Sequence, residues 1–348
     1  MPIKDTERQE WAIEVGVAGF SLLQAFNQNA DLEWLRELSA IETLRQMWLQ
    51  QFWLEAGEVR LRETANMPLP GHRLHTPYDP QARYATKREI HWLGYKVHLT
   101  ETCEPDSPNL ITQVYTTAAT EPDLKATAPI EQSLAARDLL PAKHMVDAGY
   151  VSSEVLLESK RRHHLELVGP LRLDASWQSL AANGYEGEHF KLDWEGQKAE
   201  CPQGETSSKW QTKKDSQAGP EYILVSFECK TCLDCEVREQ CSRNANRGRL
   251  LRLRPQAEHE AIAAQRGRQN EREFKELFNT RAGIEGTLSQ AVRVFGLRRC
   301  RYRGLEKTEL QHILTAVALN LVRLWNWLSE VPQVTKRVSR LAALKPVA

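Results

Sequence analysis

Tyr95-Lys96-Val97-His98-Leu99 alternates apolar with polar residues, the two-residue period of a strand half buried on one face. Residues 110–117 form a second strand candidate on the same ground. Residues 121–140 follow as a helix, with Asp123 able to cap it and Ile130, Leu134 and Leu139 on its apolar side. His144-Met145-Val146 is then a short strand that runs into Asp147-Ala148-Gly149-Tyr150. Ser152 opens another helix to about residue 164, and residues 165–168 read as a strand stopped by Gly169-Pro170. Two strands of antiparallel kind followed by helix, strand, helix and strand belong to an α/β domain.

Upstream, residues 5–27 read as one helix through Ala18, Leu22, Leu23 and Phe26. Asp31 is placed to cap a second, running from Leu32 to about Glu55 with Trp34, Leu35, Leu38, Ile41, Leu44, Met47 and Trp48 on its apolar side. Residues 65–80, rich in Pro, Gly and His, read as a loop. Downstream, residues 171–255 change character, with short strands at 190–194, 222–227 and 250–253 and five of the seven cysteines. Residues 256–328 are helical, with a break near 296–304. The division expected is a helical segment at 1–60, the first part of a core at 61–170, a Cys-rich insertion at 171–255 and a helical C-terminal part at 256–348.

Composition narrows the function. The chain has 348 residues, 41% hydrophobic and 26% charged, which excludes a disordered chain. Its 46 Lys and Arg balance 46 Asp and Glu, but unevenly. Residues 1–60 hold 5 basic and 10 acidic residues, whereas residues 243–303 hold 15 basic and 6 acidic. A basic back end suits an anion, with nucleic acid the first candidate. Residues 1–11 are charged and lack the apolar core of a secretion signal. The most apolar stretch, residues 313–322, is too short to span a bilayer, so no membrane partner is expected.

Four features carry chemistry. Asp147 sits where a strand ends and a glycine turn begins, the place where open α/β sheets gather functional groups. A turn aspartate bonding its own backbone occupies the same position. Arg281 and Glu285 are four apart, on one face of the expected helix, as a surface ion pair also is. Gly283 and Gly286 flank that acid at a cost of about 1 kcal/mol each in helix propensity, which suggests close approach by a backbone or a ligand. Arg298-Arg299-Cys300-Arg301-Tyr302-Arg303 offers four guanidiniums and an interleaved ring for phosphates and bases, with a solvated charge run as the plain alternative. Finally, Cys229-x2-Cys232-x2-Cys235-x5-Cys241, with Cys201 upstream in Cys-Pro-Gln-Gly, supplies five candidates for a tetrahedral zinc site. An iron–sulfur cluster competes for the same spacing. Arg238, Arg243, Arg247 and Arg249 surround it, as in a module lying on nucleic acid, while Cys103 and Cys300 read as packed thiols.

Residues 91–103 (His-Trp-Leu-Gly-Tyr-Lys-Val-His-Leu-Thr-Glu-Thr-Cys), Val146-Asp-Ala-Gly-Tyr150, Cys201-Pro-Gln-Gly204, Arg281-Ala-Gly-Ile-Glu-Gly-Thr-Leu-Ser-Gln290 and Gly296-Leu-Arg-Arg-Cys-Arg-Tyr-Arg-Gly304 resemble bacterial insertion-sequence transposases of the DDE class, in the branch with a Cys-rich insertion. The resemblance implies an RNase H-like catalytic core with a Cys-rich β insertion and flanking helices. It implies Mg²⁺- (or Mn²⁺-) dependent cleavage of transposon ends and strand transfer into target DNA, in the bacterial cytoplasm at the nucleoid. Asp147 matches the family's second catalytic Asp and Glu285 its catalytic Glu, both as metal ligands. Phe278, Arg281 and Glu285 match a Tyr-x2-Arg-x3-Glu-x6-Lys signature, with Phe278 in place of Tyr and Val292 at the Lys position, followed by Arg293. Arg293, Arg298, Arg299, Arg301, Tyr302 and Arg303 are then the DNA-contacting set. The family's first catalytic Asp falls upstream of Met1, so the expectation is an N-terminally truncated chain, with Asp79 as the nearest substitute acid. Its protein partners would be a second copy or a full-length transposase. A catalytically inactive, zinc-containing DNA-binding remnant and an unrelated metal-dependent nuclease are the competing readings.

Overall fold

The computed structural model describes residues 4–172, 174–181, 183–216 and 219–331; the ends of the first and last expected segments, 1–3 and 332–348, lie outside the described residues. In chain order the helix α1 (Asp5–Gln28) leads through a 3-10 turn (Ala30–Glu37) to α2 (Ser39–Gln51) and a hairpin of β1 (Phe52–Glu55) and β2 (Glu58–Leu61). An antiparallel meander follows: β3 (Arg83–Lys87), β4 (Ile90–Glu101) and β5 (Ile111–Ala118). Then come α3 (Leu124–Ala135), β6 (Lys143–Met145), α4 (Ser153–His163) and β7 (Glu166–Val168). The Cys-rich stretch contains α5 (Trp177–Leu180), β8 (Lys191–Asp193), β9 (Lys198–Glu200), β10 (Lys209–Lys214), β11 (Glu221–Ser226), α6 (Cys229–Leu233), α7 (Arg238–Cys241) and β12 (Leu250–Leu253). The end is helical: α8 (Gln256–Gln269), α9 (Arg272–Asn279), a 3-10 turn (Thr280–Ala282), α10 (Gly283–Phe295) and α11 (Leu305–Leu328). This mixture of helix and strand fits the expected α/β class. The chain divides into two compact units, Met1–Ala126 with Ala282–Ala348, and Thr127–Arg281.

The first unit is built on the meander. Tyr95, Val97 and Leu99 pair with Ala118, Thr116 and Val114, so the segment is a strand as expected, but His98 on its opposite face is also buried, which corrects the expectation of burial on one face alone. Ile111, Ala291, Leu297, Ala316 and Leu319 form the buried core, with Val97, Leu99 and Val114 packed on it. The side chain of Asn320 ties α11 to the sheet edge, accepting from the Ile111 N–H at 2.8 Å and donating to the Ile111 carbonyl at 2.9 Å. Beside it lies a buried ion pair. Glu101, 6% exposed, accepts from Arg323, 18% exposed, at 3.0 Å, and from the Thr287 hydroxyl at 2.5 Å. Arg323 also donates to the Asn109 carbonyl at 2.5 Å and to Thr287. One carboxylate thus holds β4, α10 and α11 together.

The expected helix over 32–55 is corrected at both ends. Residues 30–37 take the tighter 3-10 turn, started by the Asn29 side chain accepting from the Asp31 N–H at 3.0 Å, so Asp31 is not the cap. At the other end the chain leaves the helix at Phe52 and folds back through Ala56 and Gly57, both at positive φ, so that Glu55 pairs with Glu58. Positive φ at both central residues is the geometry of a two-residue hairpin turn.

In the second unit, β6 and β7 pair in parallel across α4, and Leu165, Leu167 and Val168 are buried. The meander and this parallel pair form separate sheets. Further along, β10, β11 and β12 make an antiparallel sheet over Phe190, Ala199, Val225, Phe227, Leu251 and Leu253. In β12 the alternation is complete: Leu251 and Leu253 face inward, Leu250 and Arg252 outward. α3 and α4 are joined by Glu131, whose two carboxylate oxygens accept from the buried Ser159 hydroxyl at 2.9 and 2.8 Å.

Two outcomes follow from these buried charges. Arg323→Ala strands the Glu101 carboxylate and should lower unfolding free energy by about 3 kcal/mol, measured by urea denaturation. Glu131 has its carboxyl raised to about 7, chiefly by burial, against a Ser159 hydrogen bond that lowers it. A folded pKa above the unfolded value gives stability that is complete below pH about 4.5 and is lost as pH rises through about 7. Glu131→Gln should therefore melt higher than wild type at pH 8 and level with it at pH 4; an equal difference at both would contradict the assignment.

Candidate active site

Asp147 stands where β6 ends. The Val146 N–H donates to the Val168 carbonyl at 2.9 Å, the last rung of the parallel pair, and the chain then turns into a short 3-10 helix over Ala148–Tyr150. Asp147 caps that turn, its Oδ1 accepting from the Ala148 N–H at 3.2 Å. The carboxylate is 61% exposed, and its Oδ2 has no hydrogen-bond partner among the described residues. Asp147 thus bonds its own turn, as a turn aspartate does, and its second oxygen is left open.

Arg281 is brought to it. Its Nη2 lies 4.0 Å from Asp147 Oδ1, and its guanidinium lies over the Phe278 ring at 5.2 Å from the centroid. Phe278 is in turn stacked on Phe274, with ring centroids 6.2 Å apart. The aromatic position of the signature thus acts as a platform that sets the height of the arginine. The signature does not run on one uninterrupted helix, because Arg281 lies in the 3-10 turn between α9 and α10.

Glu285 belongs to the other unit, exposed in the first turn of α10. Its helix begins at Gly283, where a Cβ would meet Asn109 Nδ2 at 3.2 Å and Glu101 Oε1 at 3.3 Å. The glycine expected to allow close approach does so toward the buried Glu101 rather than toward a ligand. Around Gly286 a Cβ would meet nothing within 4 Å. Among the described residues, no group of three His, Cys, Asp or Glu side chains already stands at metal-ligand spacing.

Residues 200–325 match the family model described as Transposase DDE domain. The match covers 126 of the chain's 348 residues, so the likeness to a DDE transposase is shown for that segment. It takes in Arg281, Glu285 and the arginine loop, and leaves Asp147 outside. The chain has no match among curated proteins and none among solved structures. Among the described residues, no helix is long and apolar enough to cross a membrane.

The arginine loop between α10 and α11 is exposed at Arg298, Arg299, Arg301, Tyr302 and Arg303, as is Arg293 on α10. Its backbone is tied down. The Gln311 side chain donates to the Arg299 carbonyl and accepts from the Arg301 N–H, both at 2.9 Å. The Cys300 thiol donates to the Tyr302 carbonyl at 2.8 Å. At the start of α11, Asp79 Oδ2 accepts from the Gly304 N–H at 3.1 Å and Gln81 from the Leu305 N–H at 2.8 Å. Asp79 also accepts from the Tyr95 hydroxyl on both oxygens, at 2.8 and 2.9 Å, and burial together with this bond pushes the Tyr95 phenol up. The substitute acid of the sequence reading is therefore committed to structure. Arg303 lies over the Tyr78 ring at 5.1 Å. Nearby, a cleft of about 410 Å³ is lined by His72, Arg83, Tyr95, Lys125 and Leu305.

Sequence reasoning missed Gln311, Gln81 and the role of Asp79, whose only signal was Asp-Pro before a strand. Of the arginines around the cysteines, Arg243 stays exposed while lying over Trp177 at 4.4 Å and Arg247 is exposed, whereas Arg249 turns inward and is corrected as a nucleic-acid contact. Gln311→Ala should free the loop. Amide exchange at residues 299–303 is expected to quicken about fivefold, the equivalent of one hydrogen bond of about 1 kcal/mol, with α10 unchanged.

Proposed function

We propose that this chain is the catalytic part of a DDE transposase, with Asp147 and Glu285 as the acids that hold Mg²⁺ or Mn²⁺. The observation that carries the reading is the Transposase DDE domain match over the segment containing Arg281, Glu285 and the arginine loop. Exposed carboxylates suit a hard divalent cation. When bound, such ions polarise the scissile phosphate and lower the pKa of the attacking water or 3′-hydroxyl. Arg281, fixed by Phe278 beside Asp147, supplies a cation for a non-bridging phosphate oxygen. Arg293, Arg298, Arg299, Arg301 and Arg303 hold the DNA by its phosphates, and Tyr302 offers a stacking face. The four segments 1–60, 61–170, 171–255 and 256–348 remain our proposed division by role. A second copy or a full-length transposase is the protein partner, and the cytoplasm at the nucleoid is the place of action.

A second reading, a DNA-binding remnant without cutting activity, is favoured by one observation: no third acid joins Asp147 or Glu285 among the described residues. The two separate in one experiment. The element encoding this chain, cloned with its flanking DNA, supplies the ends for an excision assay in cells. Excision above background, lost in Asp147→Ala and Glu285→Ala, is the expected result. Excision unaffected by both variants would reject these acids, and no excision with tight DNA binding would select the remnant. Binding to a DNA duplex should weaken steeply with salt in either case. Each of Arg298→Ala, Arg299→Ala, Arg301→Ala and Arg303→Ala is expected to reduce the log–log slope by about 0.9.

A further inference from the structure

Four of the five clustered cysteines open onto one cavity. Cys201, Cys232, Cys235 and Cys241 line a space of about 40 Å³ with Phe190 and Phe227. They arrive by different routes. Cys201 sits in a tight turn after β9, its N–H donating to the Glu205 carbonyl at 2.8 Å and its carbonyl accepting from the Gly204 N–H at 2.8 Å. Cys232 lies on α6, Cys235 follows it, and Cys241 ends α7. The Cys241 carbonyl is held by the Gln178 side chain at 3.2 Å and by Arg249 at 2.6 Å. Cys229, one helical turn before Cys232, does not line the cavity; its thiol is directed at the Asn246 carbonyl, 3.5 Å away. All five are free thiols.

Arg249 is the second observation. Its Nη1 donates to the Cys241 carbonyl and its Nη2 to the Tyr185 carbonyl at 3.3 Å, while its Nε is buried with no hydrogen-bond partner among the described residues. No carboxylate among the described residues forms an ion pair with it. The side chain lies over Phe190 at 5.6 Å, and its own backbone N–H donates to Cys232 Sγ at 3.5 Å. A guanidinium in an apolar setting without an anion is costly. Neutral thiols do not offset that cost, whereas a zinc tetrathiolate carries two negative charges.

We propose that Cys201, Cys232, Cys235 and Cys241 bind one zinc ion, with Arg249 as its built-in counter-cation and Cys229 outside the ligand set. Binding converts four S–H groups and Zn²⁺ into four Zn–S bonds, releasing four protons to solvent, with no change of oxidation state. The ion draws the sulfurs inward to the roughly 2.3 Å of a Zn–S bond. The cavity exceeds the roughly 10–15 Å³ that one water needs, so the space between the thiols is large enough to admit an ion.

The test reads metal content and does not depend on transposition. The purified full chain should contain about one zinc. Cys229→Ser should keep it, and serine at any of the other four should lose it. Because a ligand variant can fail to fold, alkylation of the wild-type protein provides a second measurement. Cys229 and Cys300 should react before chelation, and the four ligands only after it. Iron with visible absorbance, no metal, zinc lost in Cys229→Ser, or early alkylation of any of the four would each overturn the assignment. In chelator competition, Arg249→Gln should weaken zinc binding about tenfold, and Arg249→Lys should restore most of it. Equal weakening in both would mean that Arg249 acts by shape and not by charge.

Discussion

The first unit depends on one buried carboxylate. Glu101 receives Arg323 from α11 and Thr287 from α10, and it sits where β4 shifts register against β5. Two helices and a strand therefore share a single charge, and the cost of burying it is met only when all three are in place. Gly283 extends the same constraint to the start of α10, since a side chain there would press on Glu101 and Asn109. The position of Glu285 along α10 is a consequence of this arrangement: it lies two residues beyond the glycine that leaves room for Glu101 and two before the threonine that bonds it. A residue with no part in the proposed chemistry thus sets where a proposed catalytic residue begins its helix.

Much of this was legible in the sequence where a period could be read. The alternation in residues 95–99, the strand at 250–253 and the interruption at 296–304 all depend on local pattern, and the structure has each of them. The turn at Asp147 was legible because a strand, an acid and a glycine stand in order. The hairpin of β1 and β2 was not, because Trp48 and Phe52 continue a helical apolar stripe and the positive φ at Ala56 has no glycine to announce it. The Glu101–Arg323 pair was hidden for another reason. Its members are separated by more than two hundred positions, and neither differs in the sequence from an ordinary surface charge. The same holds for Arg249, one arginine among several until its side chain is seen turned inward.

The two sets of basic residues differ in physical kind. Arg249 is partly buried, and burial holds its guanidinium below the ordinary arginine value, with Cys241 acting in the opposite direction. The arginines at 298, 299, 301 and 303 are solvated and carry no such cost. The first is suited to neutralising a fixed charge inside the protein. The second is suited to a ligand that arrives with its own counterions and leaves them behind.

The backbone ties of the arginine loop have a consequence for recognition. Gln311 grips the chain on either side of Cys300, and Asp79 and Gln81 fix its exit into α11. The entropy of ordering this loop has been spent during folding, so a phosphate held there, as proposed, would have only side-chain rotamers left to arrest. The loop's backbone is preorganised: the points from which its arginine side chains spring are set by the fold, while the guanidiniums at their ends stay free to turn.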